Sequence, residues 1–220
     1  MKVTEFPQDP VEAYDCAEQA ALQRMPNRAI EASSTLVFDK IGYPTRVRSV
    51  RELWRYADVM HDGRAKVAFN RLGGLTAKEF GMLKHATWEG TKLSEHLGRR
   101  IVPVDAALVS LMHYRLVTLC ADHGSVFEIG PGSGYLGLML RRHGFFYLST
   151  DACQAFWLWQ KHLDIGPQLY WWEWIDPTNL PLMVDIITAN HVLNEIHETA
   201  LKYLIVRAET MLADVGAMVI

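Results

Sequence analysis

The stretch Val126-Phe127-Glu128-Ile129-Gly130-Pro131-Gly132-Ser133-Gly134-Tyr135-Leu136-Gly137 constrains this chain more than any other. A β-branched and aromatic run ends at an acidic residue, three alternating glycines follow, and an amphipathic run from Tyr135 to His143 comes next. Strand, glycine loop and helix in that order bring a backbone close to a ligand at the positive end of a helix. The glycines are required because a Cβ would hold the ligand off and because tight turns visit positive φ.

Downstream, the pattern alternates strand and helix. Strands are expected at about 125–129, 145–150, 168–174, 184–189 and 215–220, and helices at about 134–143, 152–163 and 197–213, with a turn near 176–182. This is an α/β, doubly wound, Rossmann-like and mostly parallel sheet, whose ligands bind outside the carboxyl ends of the strands. The residues just after each strand are therefore the candidates: Glu128, Gly130, Gly132, Gly134 and Tyr135 after the first, Asp151 and Ala152 after the second, Asp176 after the third, Asn190 and His191 after the fourth. Asp151 suits a ribose diol and equally suits capping of the next helix; Asp176 suits an adenine amine and equally a plain turn.

Residues 1–124 read as a mainly helical region, and 125–220 as the ligand-binding domain. Asp9-Pro10 opens a helix that stops at Pro26-Asn27. Thr35–Phe38 reads as a short strand and Gly42-Tyr43-Pro44 as a turn. Ser49–Glu52 and Thr76–Glu79 match capping boxes, with Gly63 and Gly90 as stops, and Pro103 opens a helix closed at Gly124. Between Phe69 and Gly98, His85, Trp88, Glu89 and His96 offer a lid or acceptor pocket; the plainer reading puts both histidines on the surface and Trp88 in the core.

The region 125–220 resembles the class I S-adenosylmethionine-dependent methyltransferases. In that family an acid lies two positions before the first glycine of a GxGxG loop, as Glu128 does before Gly130. Its ribose-binding acid corresponds to Asp151, and its adenine-side "Asp then Leu-Pro" segment to Asp176 with Leu180-Pro181. The resemblance implies S-adenosyl-L-methionine as cofactor and methyl transfer as activity. The start of the run from Asn190, with Asn194-Glu195-Ile196, is similar to sugar O-methyltransferases, which implies a small-molecule acceptor such as a sugar hydroxyl. His191 is the first candidate base at neutral pH and Glu195 the second; His197 and Glu198 read as the start of the next helix. The family's sheet has seven strands, whereas this sequence ends inside the fifth. The chain is accordingly a fragment, a protein whose open edge is covered by a partner chain in a homo-oligomer, or a degenerate relative.

Two alternatives remain. Gly132–Gly137 also satisfies GxGxxG, the fingerprint of an NAD(P)-binding oxidoreductase. Against it, the strand would have to run through Pro131, and Glu128 would repel a pyrophosphate. A non-catalytic binding or assembly module is the other alternative, suggested by the open edge and by Trp157, Trp159, Trp171, Trp172 and Trp174 crowding one region.

Composition narrows the partners. A net charge of −3 offers no footprint for nucleic acid, and no apolar run reaches a membrane span. Cys16, Cys120 and Cys153 are odd in number and not in metal-ligand spacing, so they read as free thiols with no metal centre. Met1–Phe6 lacks a signal-peptide core, which leaves the cytoplasm as the expected compartment.

Overall fold

A computed structural model describes residues 9–25, 44–59, 64–71, 73–176, 179, 182–190, 192–193, 196 and 198–220. The helices are α1 (Pro10–Leu22), α2 (Arg64–Arg71), α3 (Ala77–His96), α4 (Val104–Cys120), α5 (Tyr135–His143), α6 (Gln154–Leu163), α7 (Trp171–Ile175) and α8 (Glu198–Glu209), with a 3₁₀ helix at Val50–Ala57. The strands are β1 (Ser125–Ile129), β2 (Phe146–Asp151), β3 (Gln168–Tyr170), β4 (Val184–Thr188) and β5 (Leu212–Val219). They form one five-stranded sheet in the order β3-β2-β1-β4-β5, every pair parallel, with helices on both sides. The order reverses between β1 and β4, so the carboxyl end of β1 lies at the switch point, where sheets of this kind bind their ligands.

Burial follows position in the sheet. Central β1 is buried from Val126 to Ile129, and Glu128 with it. Edge strand β5 is half-exposed, and among the described residues it pairs only with β4. The core is one continuous apolar cluster that joins both halves of the sequence, with Leu53, Tyr56, Ala86 and Leu111 as buried as Phe127 and Ile187. Among the described residues no helix is long and apolar enough to cross a membrane.

Several expected boundaries move. The third strand stops at Tyr170, and 171–175 is a helical turn rather than more strand. Glu173 Oε accepts the Tyr170 N–H at 2.9 Å, and Trp171, Trp172, Trp174 and Ile175 are all buried. A strand at the sheet edge, with side chains alternating between faces, would expose part of that run. β5 begins at Leu212 rather than 215, because α8 ends at Glu209 and a turn intervenes. Gly90 does not stop a helix: α3 runs through it to His96. A Cβ at Gly90 would stand 2.2 Å from the Tyr135 hydroxyl, so the glycine admits a crossing side chain. The long helix α4 ends at Cys120, before Gly124.

The Thr76 capping box forms as expected, Thr76 Oγ1 accepting the Glu79 N–H at 3.2 Å while the Glu79 carboxylate accepts the Thr76 N–H at 2.8 Å. The Ser49 segment caps a 3₁₀ helix, its hydroxyl accepting from Arg51. Trp88 is 63% exposed, not core, whereas all five tryptophans between 157 and 174 are buried. His96 is exposed and His85 half-buried. Cys16, Cys120 and Cys153 are free. Thr35–Phe38, the Gly63 stop and the Pro26-Asn27 stop lie outside the described residues.

Candidate functional site

The three loop glycines all adopt left-handed φ: +67° at Gly130, +56° at Gly132 and +78° at Gly134. What surrounds them differs. A Cβ on Gly130 would meet Val192 Cγ2 at 2.3 Å, and one on Gly134 would meet Ile165 Cγ2 at 2.9 Å. Gly132 faces open space, with nothing within 4 Å. Two glycines thus let the chain pack against itself, and the middle one leaves room for a visitor. β1 ends at Ile129, so Pro131 lies in the loop and not in the ladder.

Two elements hold the loop, α6 and the 3₁₀ helix. The buried Gln160 amide donates to Gly132 O and to Asp151 Oδ2, both at 2.8 Å, and its oxygen accepts from Gln168 at 3.0 Å. The Trp159 indole N–H donates to Ser133 O at 3.0 Å, and the Ser133 hydroxyl donates to Tyr56 O at 3.0 Å. The Tyr135 hydroxyl donates to Ala57 O at 2.5 Å. Tyr135, expected to border the ligand, is thereby a fully buried clasp between α5 and the 3₁₀ helix.

Glu128 and Asp151 close the floor at the ends of adjacent strands. Both are buried, 3% and 4% exposed. Burial pushes the Glu128 carboxyl up to about 7; the Tyr147 phenol and the Asn190 amide hold it down, and the negative charge of Asp151 pushes it further up. Asp151 accepts the Cys153 N–H at 2.9 Å as well as the Gln160 amide. It therefore caps the approach to α6, and its charge is felt by Glu128, which lies opposite Ser149 two residues earlier on β2. Ala152, Gly130 and Gly132 are half-exposed and form the rim.

Asn190 completes this group from β4, donating to Thr188 Oγ1 at 2.8 Å. It also lines a cleft of about 800 Å³ beside α4, with Met112, His113, Leu116 and Thr118. Asp176 does not follow a strand but is the C-cap of α7: its N–H donates to Trp172 O at 3.1 Å, and its carbonyl accepts from Asn179 N–H at 3.2 Å and from Arg207 of α8, near the amino ends of β4 and β5 and apart from Glu128 and Asp151. His191 and Glu195, the candidate bases, lie outside the described residues, as do Leu180 and Pro181.

The N-terminal region walls the β2 end. Thr45 O accepts the Ala155 N–H at 3.1 Å, the Val47 N–H donates to Gln154 Oε1 at 3.0 Å, and the Gln154 amide donates to Asp15 at 2.5 Å. None of these contacts is visible as a motif. Gln160 had one sign in the sequence: a polar residue in helical step with apolar Phe156, Trp157 and Leu163. Among the described residues no three His, Cys, Asp or Glu side chains gather where they could hold a metal ion. Comparison of the chain with protein-family models, and separately with curated proteins, finds no match.

Proposed function

We propose that this chain binds S-adenosyl-L-methionine across the carboxyl ends of β1 and β2 and transfers its methyl group to a small-molecule acceptor. Two buried acids at the carboxyl ends of paired strands carry this reading: Glu128, whose proton feels the charge of Asp151, and Asp151, which Gln160 ties to the carbonyl of Gly132. The residues fit the cofactor's parts. Gly132 leaves space where a Cβ would otherwise stand against a ligand. A carboxyl titrating near 7 becomes a full anion when an ammonium group is placed beside it, so Glu128 suits the methionine amine. Asp151, fixed by Gln160 and the Cys153 amide, is the acid proposed to take the ribose diol, exchanging one of these contacts for a ribose hydroxyl.

When bound, the sulfonium supplies an activated methyl group. The chain's own contribution is to hold donor and acceptor in line and, for a hydroxyl acceptor, to remove a proton. His191, next in the chain after Asn190, is the first candidate for that base and Glu195 the second. A sugar hydroxyl is the acceptor class to try first, on the strength of the sequence resemblance.

A dinucleotide is the second reading, favoured by Gly137. A Cβ there would meet the Tyr147 ring at 2.6 Å, the close helix–strand packing expected of the last glycine in GxGxxG. Calorimetric titration separates the two. Heat on adding S-adenosylmethionine or S-adenosylhomocysteine, with none for NAD(H), supports the proposal; heat for NAD(H) alone overturns it.

A further inference from the structure

Among the described residues the Tyr14 hydroxyl of α1 makes no hydrogen bond, although the residue is only 1% exposed. Tyr56, Tyr114, Tyr135, Tyr147 and Tyr203 each place theirs on a carbonyl, a carboxylate or a ring nitrogen. A buried polar group left without a partner is destabilising, which makes Tyr14 an exception with a cause. Ser149 Oγ, Thr150 Oγ1, Gln168 Oε1 and Trp171 Nε1 are sealed in the interior without a partner, whereas the Tyr14 oxygen has none and is not sealed.

The phenol belongs to the carboxyl ends of β2 and β3. Its ring is tilted or edge-on to Trp157, Tyr170 and Trp172, with centroids 5.3, 5.6 and 5.1 Å away. Tyr170 is the residue that pairs with Asp151 across the two strands. Asp15, next on α1, accepts the Gln154 amide at 2.5 Å and the Arg46 guanidinium at 2.9 Å, which ties this turn of the helix to the start of α6. Burial first, then the negative charges of Glu18 and Asp151, raise the phenol well above its usual range, with Cys153 adding and Arg46 opposing. At neutral pH it is a hydrogen-bond donor that feels the Asp151 carboxylate without bonding to it.

We propose that Tyr14 completes the ribose subsite: its O–H donates to the oxygen of a ribose hydroxyl whose own proton goes to Asp151. The proposal rests on the methyl-donor reading above and deepens it, because the N-terminal helix then touches the ligand directly. A hydroxyl both donates and accepts, so it satisfies a carboxylate and a phenol at once. The unbonded phenol destabilises the free protein, and the ligand relieves it.

Tyr14→Phe removes the oxygen alone. Its melting temperature is expected to equal or exceed that of wild type, while its dissociation constant for S-adenosylhomocysteine, by calorimetry, rises about tenfold. Wild type should also bind more weakly one of the two analogues of that ligand that lack a ribose hydroxyl, and Tyr14→Phe should weaken that analogue no further. Unchanged affinity in Tyr14→Phe, or equal weakening of the parent ligand and both analogues, overturns the proposal and leaves the donor reading standing. If wild type binds no S-adenosylhomocysteine, the donor reading falls and takes this one with it.

Discussion

The Tyr147 phenol donates a 2.5 Å hydrogen bond to Glu128 from the neighbouring strand, joining two side chains that are both buried beneath the glycine loop. The bond does not offset the loss of water. Burial raises the Tyr147 phenol well above its usual range, with Glu128 adding to it, and leaves the carboxyl near 7. A carboxylic acid in this state costs stability when it ionises, and it gains from any cation that replaces the missing solvent.

The first prediction concerns pH. Glu128 has its folded value raised from 4.5 to about 7, so the folded state holds the proton more tightly, and stability falls as pH climbs through that window. The contribution is about 3 kcal/mol, at about 1.4 kcal/mol per unit. Denaturant unfolding between pH 5 and 8 should show this slope in wild type and lose most of it in Glu128→Gln. The same substitution should abolish donor binding, and wild-type affinity should tighten as pH rises towards 7.

Alanine at the loop glycines should separate folding from binding. Gly130→Ala combines a left-handed φ with a 2.3 Å collision against Val192, and a loss of about 2–4 kcal/mol is expected. Gly132→Ala meets nothing, so only the left-handed backbone is penalised, by about 1 kcal/mol. Thermal melts should rank the two in that order. Calorimetry on the folded Gly132→Ala protein should nonetheless find donor affinity reduced at least tenfold.

Asp151→Ala removes a ribose acceptor together with the anchor of Gln160 and the Cys153 N–H. Donor affinity should weaken by about 1.5–3 kcal/mol. Asp151→Asn keeps the shape, so its melting temperature should lie between those of Asp151→Ala and wild type, while donor affinity falls nearly as far as in Asp151→Ala. An unchanged dissociation constant in both variants would remove the ribose assignment.

Remote from the site, the start of α3 supplies a prediction about acid. The Arg115 guanidinium, donating to Glu79 through Nε at 2.5 Å and Nη2 at 2.9 Å, holds that carboxyl down at about 2, with the Thr76 cap assisting against burial. A depressed value contributes stability above the ordinary carboxylate range, and the contribution is lost as pH falls from about 4.5 towards 2. Thr76→Ala should cost about 1 kcal/mol at pH 7. Glu79→Gln should lower stability at pH 7 and flatten the acid limb of the unfolding curve.

Much of the arrangement was legible before any coordinates. The alternation of β-branched runs with amphipathic ones carries its own period, and from it β1, β2 and β4, the glycine loop and α5 follow to within a residue or two. The places of Glu128 and Asp151 at strand ends were legible too, whereas Asp176, expected after the third strand, caps a helical turn instead. The register of 168–175 was not. A run of Trp and Tyr favours strand locally, and the burial of Trp171, Trp172 and Trp174 together, with Glu173 turned back onto Tyr170, makes it helical. Gly90 misleads for a related reason: glycine before a polar run looks like a stop, whereas its cause is the Tyr135 ring crossing from another helix. The clamp on Asp151 by Gln160, and the 3₁₀ helix over Ser133, depend on contacts between segments far apart in the chain, which no local pattern encodes.

The most direct measurement is a crystal structure of the protein with S-adenosylhomocysteine. The account predicts the amino nitrogen within hydrogen-bond reach of Glu128, the ribose hydroxyls on Asp151, and the ligand backbone lying against Gly132. Ligand lodged only in the cleft between α4 and Asn190, with Glu128 and Asp151 untouched, would contradict it.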